Sequence, residues 1–164
     1  MIKNYIIILF FLLSTTNSFS AGSSSSDDSS KVKSNYDKAV VLIKSAKKLE
    51  KKGKTEKANK KYEKAQKLLI KSNKKTPGKA DTLNYLGFTT RKLGDYENGE
   101  KYYLMGLKIN PNHTGINEYL GELYIATNRI DLAKERLGVL ENCDCEEYNQ
   151  LKDIIEGKKE SKYY

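Results

Sequence analysis

Three observations predict an all-α chain built as an array of helix pairs. First, the triplet Tyr85-Leu86-Gly87 recurs 34 residues later as Tyr119-Leu120-Gly121. At the same offset Gly94 returns as Asn128, Tyr96 as Ile130, Gly99 as Ala133 and Tyr103 as Leu137. A fixed period of that length marks stacked repeats rather than one closed core. Second, apolar residues keep helical spacing, and no run alternates in the manner of a half-buried strand. Third, apolar residues are 38% of the chain and charged residues 31%, a balance that suits a thin helical array better than a thick core.

The chain opens with a charged and then apolar stretch. Lys3 precedes an apolar run from Tyr5 to Leu13, followed at once by Ser14, Thr15, Thr16, Asn17 and Ser18. Nine apolar residues are too few to span a bilayer, which needs about 20. They fit the hydrophobic region of a secretory signal peptide, with small Ser18 and Ser20 placed for cleavage before Ala21. The segment 1–20 is therefore expected to be a signal peptide that directs the protein to the periplasm and leaves no transmembrane segment in the mature chain. No cysteine lies near the cleavage point, which disfavours a lipid anchor. Residues 21–38 read as a flexible mature N-terminus and lead-in, since Ala21 to Ser30 holds almost nothing but Ser, Gly and Asp.

Three repeat units and a cap follow. The middle unit, 80–113, carries Leu83, Leu86, Gly87, Gly99, Tyr103 and Pro111. The next, 114–145, carries Leu120, Gly121, Tyr124, Ala133 and Leu137. A fainter first unit, 39–79, shows Leu42, Ala46, Leu49, Gly53, Ala58 and Tyr62. Small residues at Gly87 and Ala133 let paired helices approach, while Leu86 and Tyr103 fill the space between them. Gly94-Asp95 and Asn128-Arg129 suit the turns inside pairs, and Asn110-Pro111-Asn112 breaks the chain between units. The separation of Gly53 from Gly94 exceeds that of Pro77 from Pro111 by seven residues. Seven residues make about two helical turns, so the second helix of the first unit can lengthen without rotating its buried face. From Glu146, the stripe Tyr148, Leu151, Ile154 and Ile155 predicts a cap helix over 146–157, which would cover the last stacking face. Residues 158–164 are left as a tail.

These positions resemble the tetratricopeptide repeat family closely in the middle unit, with Thr90 as the one departure where an aromatic is expected. The third unit departs at Asn117 and Cys145. The arrangement is also similar to small exported repeat proteins of Gram-negative, notably alphaproteobacterial, bacteria, through Asn110-Pro111-Asn112-His113 and Cys143-Asp144-Cys145-Glu146-Glu147-Tyr148. The resemblance implies a right-handed superhelix of three helix pairs plus a C-terminal capping helix. It further implies a concave groove, lined by the first helix of each unit, that binds a protein or peptide segment. Groove positions fall at Lys47 in the first unit, at Asn84, Phe88 and Arg91 in the second, and at Glu118 and Glu122 in the third. Ile43, Glu50 and Ile125 occupy equivalent places. Asn84 and Arg91 can hydrogen-bond a peptide, and Phe88 is expected to be an exposed anchor.

Little in the sequence points to catalysis, and no enzyme, cofactor or metal is expected. His113 is the only histidine and sits beside the Pro111 junction, where a helix-start role suits it. Gly94 and Gly99 serve turn and packing in the repeat register rather than a phosphate loop. Cys143 and Cys145 leave several readings open: a disulfide that clips the exit of the cap helix, a reactive or intermolecular pair, or a weak soft-metal site.

The formal net charge of +9 is uneven. Residues 31–79 hold 18 lysines against four acids, whereas residues 80–164 hold 11 basic residues against 15 acidic ones. Counted over the whole first unit, the lysines surround the helices rather than forming one stripe. With arginine absent there and a signal peptide ahead, nucleic acid is not the expected partner; an acidic envelope component is the alternative. The sequence therefore predicts a non-catalytic interaction module or adaptor of the cell envelope, with an unidentified protein or peptide partner. A self-assembling structural subunit and a redox-active accessory protein using Cys143 and Cys145 are the other readings. Neither oligomeric state nor partner identity is specified.

Overall fold

The structure, a computed structural model, describes residues 33–159. The signal-peptide expectation over 1–20 lies outside the described residues, as do most of the 21–38 lead-in and the end of the tail. Within the described residues every regular element is helical: α1 (Asn35–Glu50), α2 (Thr55–Lys75), α3 (Ala80–Lys92), α4 (Tyr96–Ile109), α5 (Thr114–Ala126), α6 (Ile130–Leu140) and α7 (Glu146–Ile155). They pack as the consecutive pairs α1–α2, α3–α4 and α5–α6, with each first helix also touching the next unit and α7 lying on both α5 and α6. This is the all-α repeat solenoid with a terminal cap.

Local chemistry explains where the helices begin. Ser34 and Asp37 form a reciprocal capping box on α1: the Asp37 amide donates to Ser34 Oγ at 3.1 Å and the Ser34 amide donates to Asp37 Oδ2 at 3.1 Å. Asp95 accepts from the Asn98 amide at 3.1 Å to start α4. His113 starts α5 by accepting from the Ile116 amide through Nδ1 at 3.2 Å. The turns inside the pairs need left-handed backbone, supplied at one repeat position by Gly94 (φ 92°) and at the equivalent one by Asn128 (φ 58°).

The lengthened first unit has a simple form. α2 has 21 residues and α4 has 14, while the connections that follow them, 76–79 and 110–113, are equal in length. All seven extra residues are thus spent inside the helix, and Leu69 stays fully buried on the face of Ala58, Tyr62 and Ala65.

Close approach between helices depends on several glycines, among them the two of the repeated Leu-Gly pair. A Cβ added at Gly87 would lie 2.5 Å from the Tyr103 ring, and one at Gly121 would lie 2.6 Å from Leu151. Tyr103 and Leu151 are themselves fully buried. The Leu-Gly pair of each repeat therefore packs in two ways: Gly87 admits the partner helix of its own unit, and Gly121 admits the cap. The core forms two clusters, one running from Ala39 through Tyr62 and Leu86 to Phe88 and the other joining Tyr103 to Ile116, Leu120 and Leu123, with Tyr119 packed against both.

Candidate functional site

The first helices α1, α3 and α5 bring the sequence-derived groove positions onto one inner face. Lys47 of α1 donates from Nζ to Tyr119 Oη of α5 at 2.9 Å, and the same ammonium lies 4.5 Å from the Phe88 ring centroid and 5.1 Å from that of Tyr119. Phe88 and Tyr119 meet at 5.0 Å between centroids. Arg91 of α3 donates from Nη2 to Glu122 Oε2 of α5 at 2.9 Å, with both side chains buried. Asn84, seven residues before Arg91, abuts Gly115 at the start of α5. Three helices separated by long stretches of chain thus place aromatic, cationic and acidic groups together.

The burial of this face is the main surprise. Asn84 is 7% exposed, Arg91 2%, Glu118 5% and Glu122 2%. Phe88, expected as an exposed anchor, is fully buried: its ring packs edge-on against Tyr62 at 5.7 Å and beneath Lys47. An aromatic at that repeat position has a neighbour on each side from the adjoining units, so it fills the seam between first helices instead of projecting from it. Asn84 Oδ1 is buried without a hydrogen-bond partner among the described residues.

Burial also sets the protonation of the cluster. Loss of solvent, reinforced by the Glu122 carboxylate, pushes the Glu118 carboxyl up to about 8, against the pull of Lys47 and Arg91. Loss of solvent pulls the Lys47 ammonium down, opposed by Glu118 and Glu122. Tyr119 is raised by burial and then by the Glu118 charge.

Sequence reasoning missed several members of this network. Tyr119 was legible only as a repeat-register aromatic, although its counterpart Tyr85 recurs at the same offset. Glu50, placed among the groove equivalents, faces sideways: it accepts from Tyr62 Oη at 2.8 Å and pairs with Lys92 Nζ at 2.8 Å, tying α1 to α2 and α3. His113 couples two units, since its Nε2 lies 3.1 Å from Asp81 Oδ1 while Nδ1 caps α5. Arg129 grips Glu100 through two nitrogens at 3.0 and 2.7 Å, joining α4 to the start of α6.

Cys143 and Cys145 are joined by a disulfide across the α6–α7 connection, with Asp144 between them at φ 45° and Cys145 at the N-cap of α7. Among the described residues there is no group of three or more His, Cys, Asp and Glu placed to hold a metal ion, and no helix is long and apolar enough to cross a membrane.

One expectation about charge needs correction. The lysines surround the first unit only when α1 and α2 are counted together. On α2 alone they take the outer face, away from buried Ala58, Tyr62, Ala65 and Leu69.

No protein-family model matches this chain, and no curated protein sequence matches it. Solved structures do. The type III secretion translocator chaperone SycD of Yersinia enterocolitica superposes with a TM-score of 0.54 at 16% identity, over 77% of this chain and 92% of that one. The first tetratricopeptide domain of Spaghetti (RPAP3), bound to the HSP90 peptide SRMEEVD, matches with a TM-score of 0.47 at 21% identity, over 77% and 98%. The tetratricopeptide domain of Arabidopsis OM64 matches with a TM-score of 0.48 at 13% identity, over 76% and 99%. Together with the helix pairing above, the SycD likeness is one of fold alone, and the described residues form an all-α solenoid of helix pairs.

Proposed function

We propose that the protein is a non-catalytic interaction module whose inner face, lined by α1, α3 and α5, binds a segment of a protein partner. One observation carries this reading: Asn84, Arg91, Glu118 and Glu122 are buried polar or charged groups drawn from successive repeats onto one face. Apolar residues of similar size would hold that seam at lower desolvation cost. Polar groups kept there supply hydrogen-bonding capacity, and Asn84 Oδ1 still has an acceptor to offer. A peptide N–H meets that need, and a segment laid along the three first helices would meet Lys47, Asn84 and Glu118 in turn. The Phe88 ring supports the face from below.

The reading extends to the cell envelope. Lys3 and the apolar run from Tyr5 to Leu13 support export, and a disulfide such as Cys143–Cys145 belongs in an oxidising compartment. The resemblance to small exported repeat proteins of Gram-negative bacteria points the same way.

Affinity capture from envelope extract tests the function, with the full chain run beside Asn84→Ala and Glu118→Gln variants. Loss of a captured protein in both variants, with helicity unchanged, is the expected result. Equal capture by all three chains would move the interface off the inner face.

A further inference from the structure

The outer face of α2 is a second surface that the inner-face reading leaves unused. α2 carries eight lysines and two glutamates. At about 100° per residue, lysines 57, 60, 61, 64, 67, 71, 74 and 75 fall within an arc of about 140°, on the side of the helix away from its buried face. Of these, Lys60 alone is ion-paired among the described residues, to Glu56 at 2.7 Å. Among the described residues none of the other seven ammonium groups has an ion-pair partner, and all but half-buried Lys61 belong to exposed residues. From Lys57 to Lys75 the row runs about 27 Å along one straight helix. Such concentration of like charge opposes itself and is compensated when a dense anionic surface lies against it.

The make-up of the face selects the kind of surface. Arginine, whose fork reads phosphate bidentately, is absent from α2, so geometry-specific phosphate recognition is not built in. Tyr62 is the single aromatic of α2 and is fully buried, so no ring is presented for stacking on bases. What remains is a row of compact charges on flexible stems, bordered by Ile70, which is 48% exposed. Flexible stems can follow headgroups that move laterally, and an apolar side chain at the margin can enter the interface between them.

We infer that the lysine face of α2 adsorbs to an anionic phospholipid bilayer, leaving the inner face of α1, α3 and α5 free for a protein segment. Attraction is to the surface charge of the membrane rather than to one headgroup, so phosphatidylglycerol serves as well as any other anionic lipid.

The test is co-sedimentation of the full chain with vesicles of phosphatidylglycerol and phosphatidylcholine, beside vesicles of phosphatidylcholine alone, at low and high salt. Two variants accompany it: Lys60→Gln/Lys64→Gln/Lys67→Gln/Lys71→Gln, and the same four positions changed to Arg. All four side chains are solvent-facing, and circular dichroism checks that the fold is kept. Binding to the anionic vesicles alone, weakened by salt, is expected. Each lysine lost should cost about fivefold, so the Gln variant should stay in solution while the Arg variant binds. Equal binding to both vesicle types would overturn the inference, because an apolar anchor such as the segment from Tyr5 to Leu13 does not distinguish headgroup charge. Undiminished binding by the Gln variant would overturn it too, as would binding to duplex DNA at salt that releases the vesicles.

Discussion

Arg91 Nη2 and Glu122 Oε2 lie 2.9 Å apart, 31 residues distant in sequence and both buried, so that an ion pair ties α3 to α5. A buried pair of this kind is costly to break from one side. Arg91→Ala or Glu122→Ala alone is predicted to destabilise the fold by about 3–5 kcal/mol, because each leaves a buried charge that has lost its 2.9 Å ion-pair partner. The double replacement Arg91→Met/Glu122→Leu is predicted to cost far less than the sum. Denaturant unfolding of the three variants gives the coupling directly.

Glu118 gives the cluster a pH signature. Its carboxyl stands at about 8 in the folded chain against 4.5 for an ordinary glutamate, with Glu122, Lys47, Glu147 and Arg91 as the charges that face it. A proton held more tightly in the folded state stabilises fully below the unfolded value, and that stability is lost as pH rises through the folded one. The wild-type chain should therefore lose stability relative to Glu118→Gln between about pH 4.5 and pH 8, with the difference level above that. Thermal melts of both chains across this window check the sign, and a difference independent of pH would contradict it.

Much of this architecture was legible in the sequence, for physical reasons that differ by residue. Gly94 and Asn128 stand out because left-handed backbone admits few residue types, and the seven-residue excess in the first unit shows because a buried helical face repeats in register. Repeat register groups Lys47, Asn84, Phe88, Arg91, Glu118 and Glu122, which lie on the successive first helices α1, α3 and α5. The burial of Phe88 was not legible, since it depends on how closely α1 and α5 flank α3. The Arg91–Glu122 pair and the raised Glu118 carboxyl are likewise products of distance between units. The lysine arc of α2 was hidden by counting two helices as one.

Gly87 is predicted to tolerate no side chain. A methyl there would meet the Tyr103 ring at 2.5 Å, and the ring is fully enclosed with no room to withdraw. Gly87→Ala should cost about 1–3 kcal/mol through overpacking, despite the better helix propensity of alanine. Gly138, whose added Cβ meets nothing within 4 Å, provides the control: Gly138→Ala should be neutral or stabilising. Chemical denaturation of the two variants separates packing from propensity.

The Cys143–Cys145 disulfide closes so short a loop that it restricts the unfolded chain little. Its removal by Cys143→Ser/Cys145→Ser should cost about 1.5 kcal/mol. The effect should be local, with faster hydrogen exchange in the first turn of α7 and unchanged exchange in α1 to α4. Global loss of helicity on reduction would contradict the role of a local clip.

Site-specific photo-crosslinking tests most directly whether a partner segment lies along α1, α3 and α5. A photoreactive residue would be placed at Lys47, Asn84 or Glu118 on the inner face, and in parallel at exposed Leu104 or Met105 on α4. Covalent capture of one common partner from the inner-face positions, and none from α4, is the predicted result. Capture from Leu104 or Met105 with none from Lys47, Asn84 or Glu118 would contradict the account.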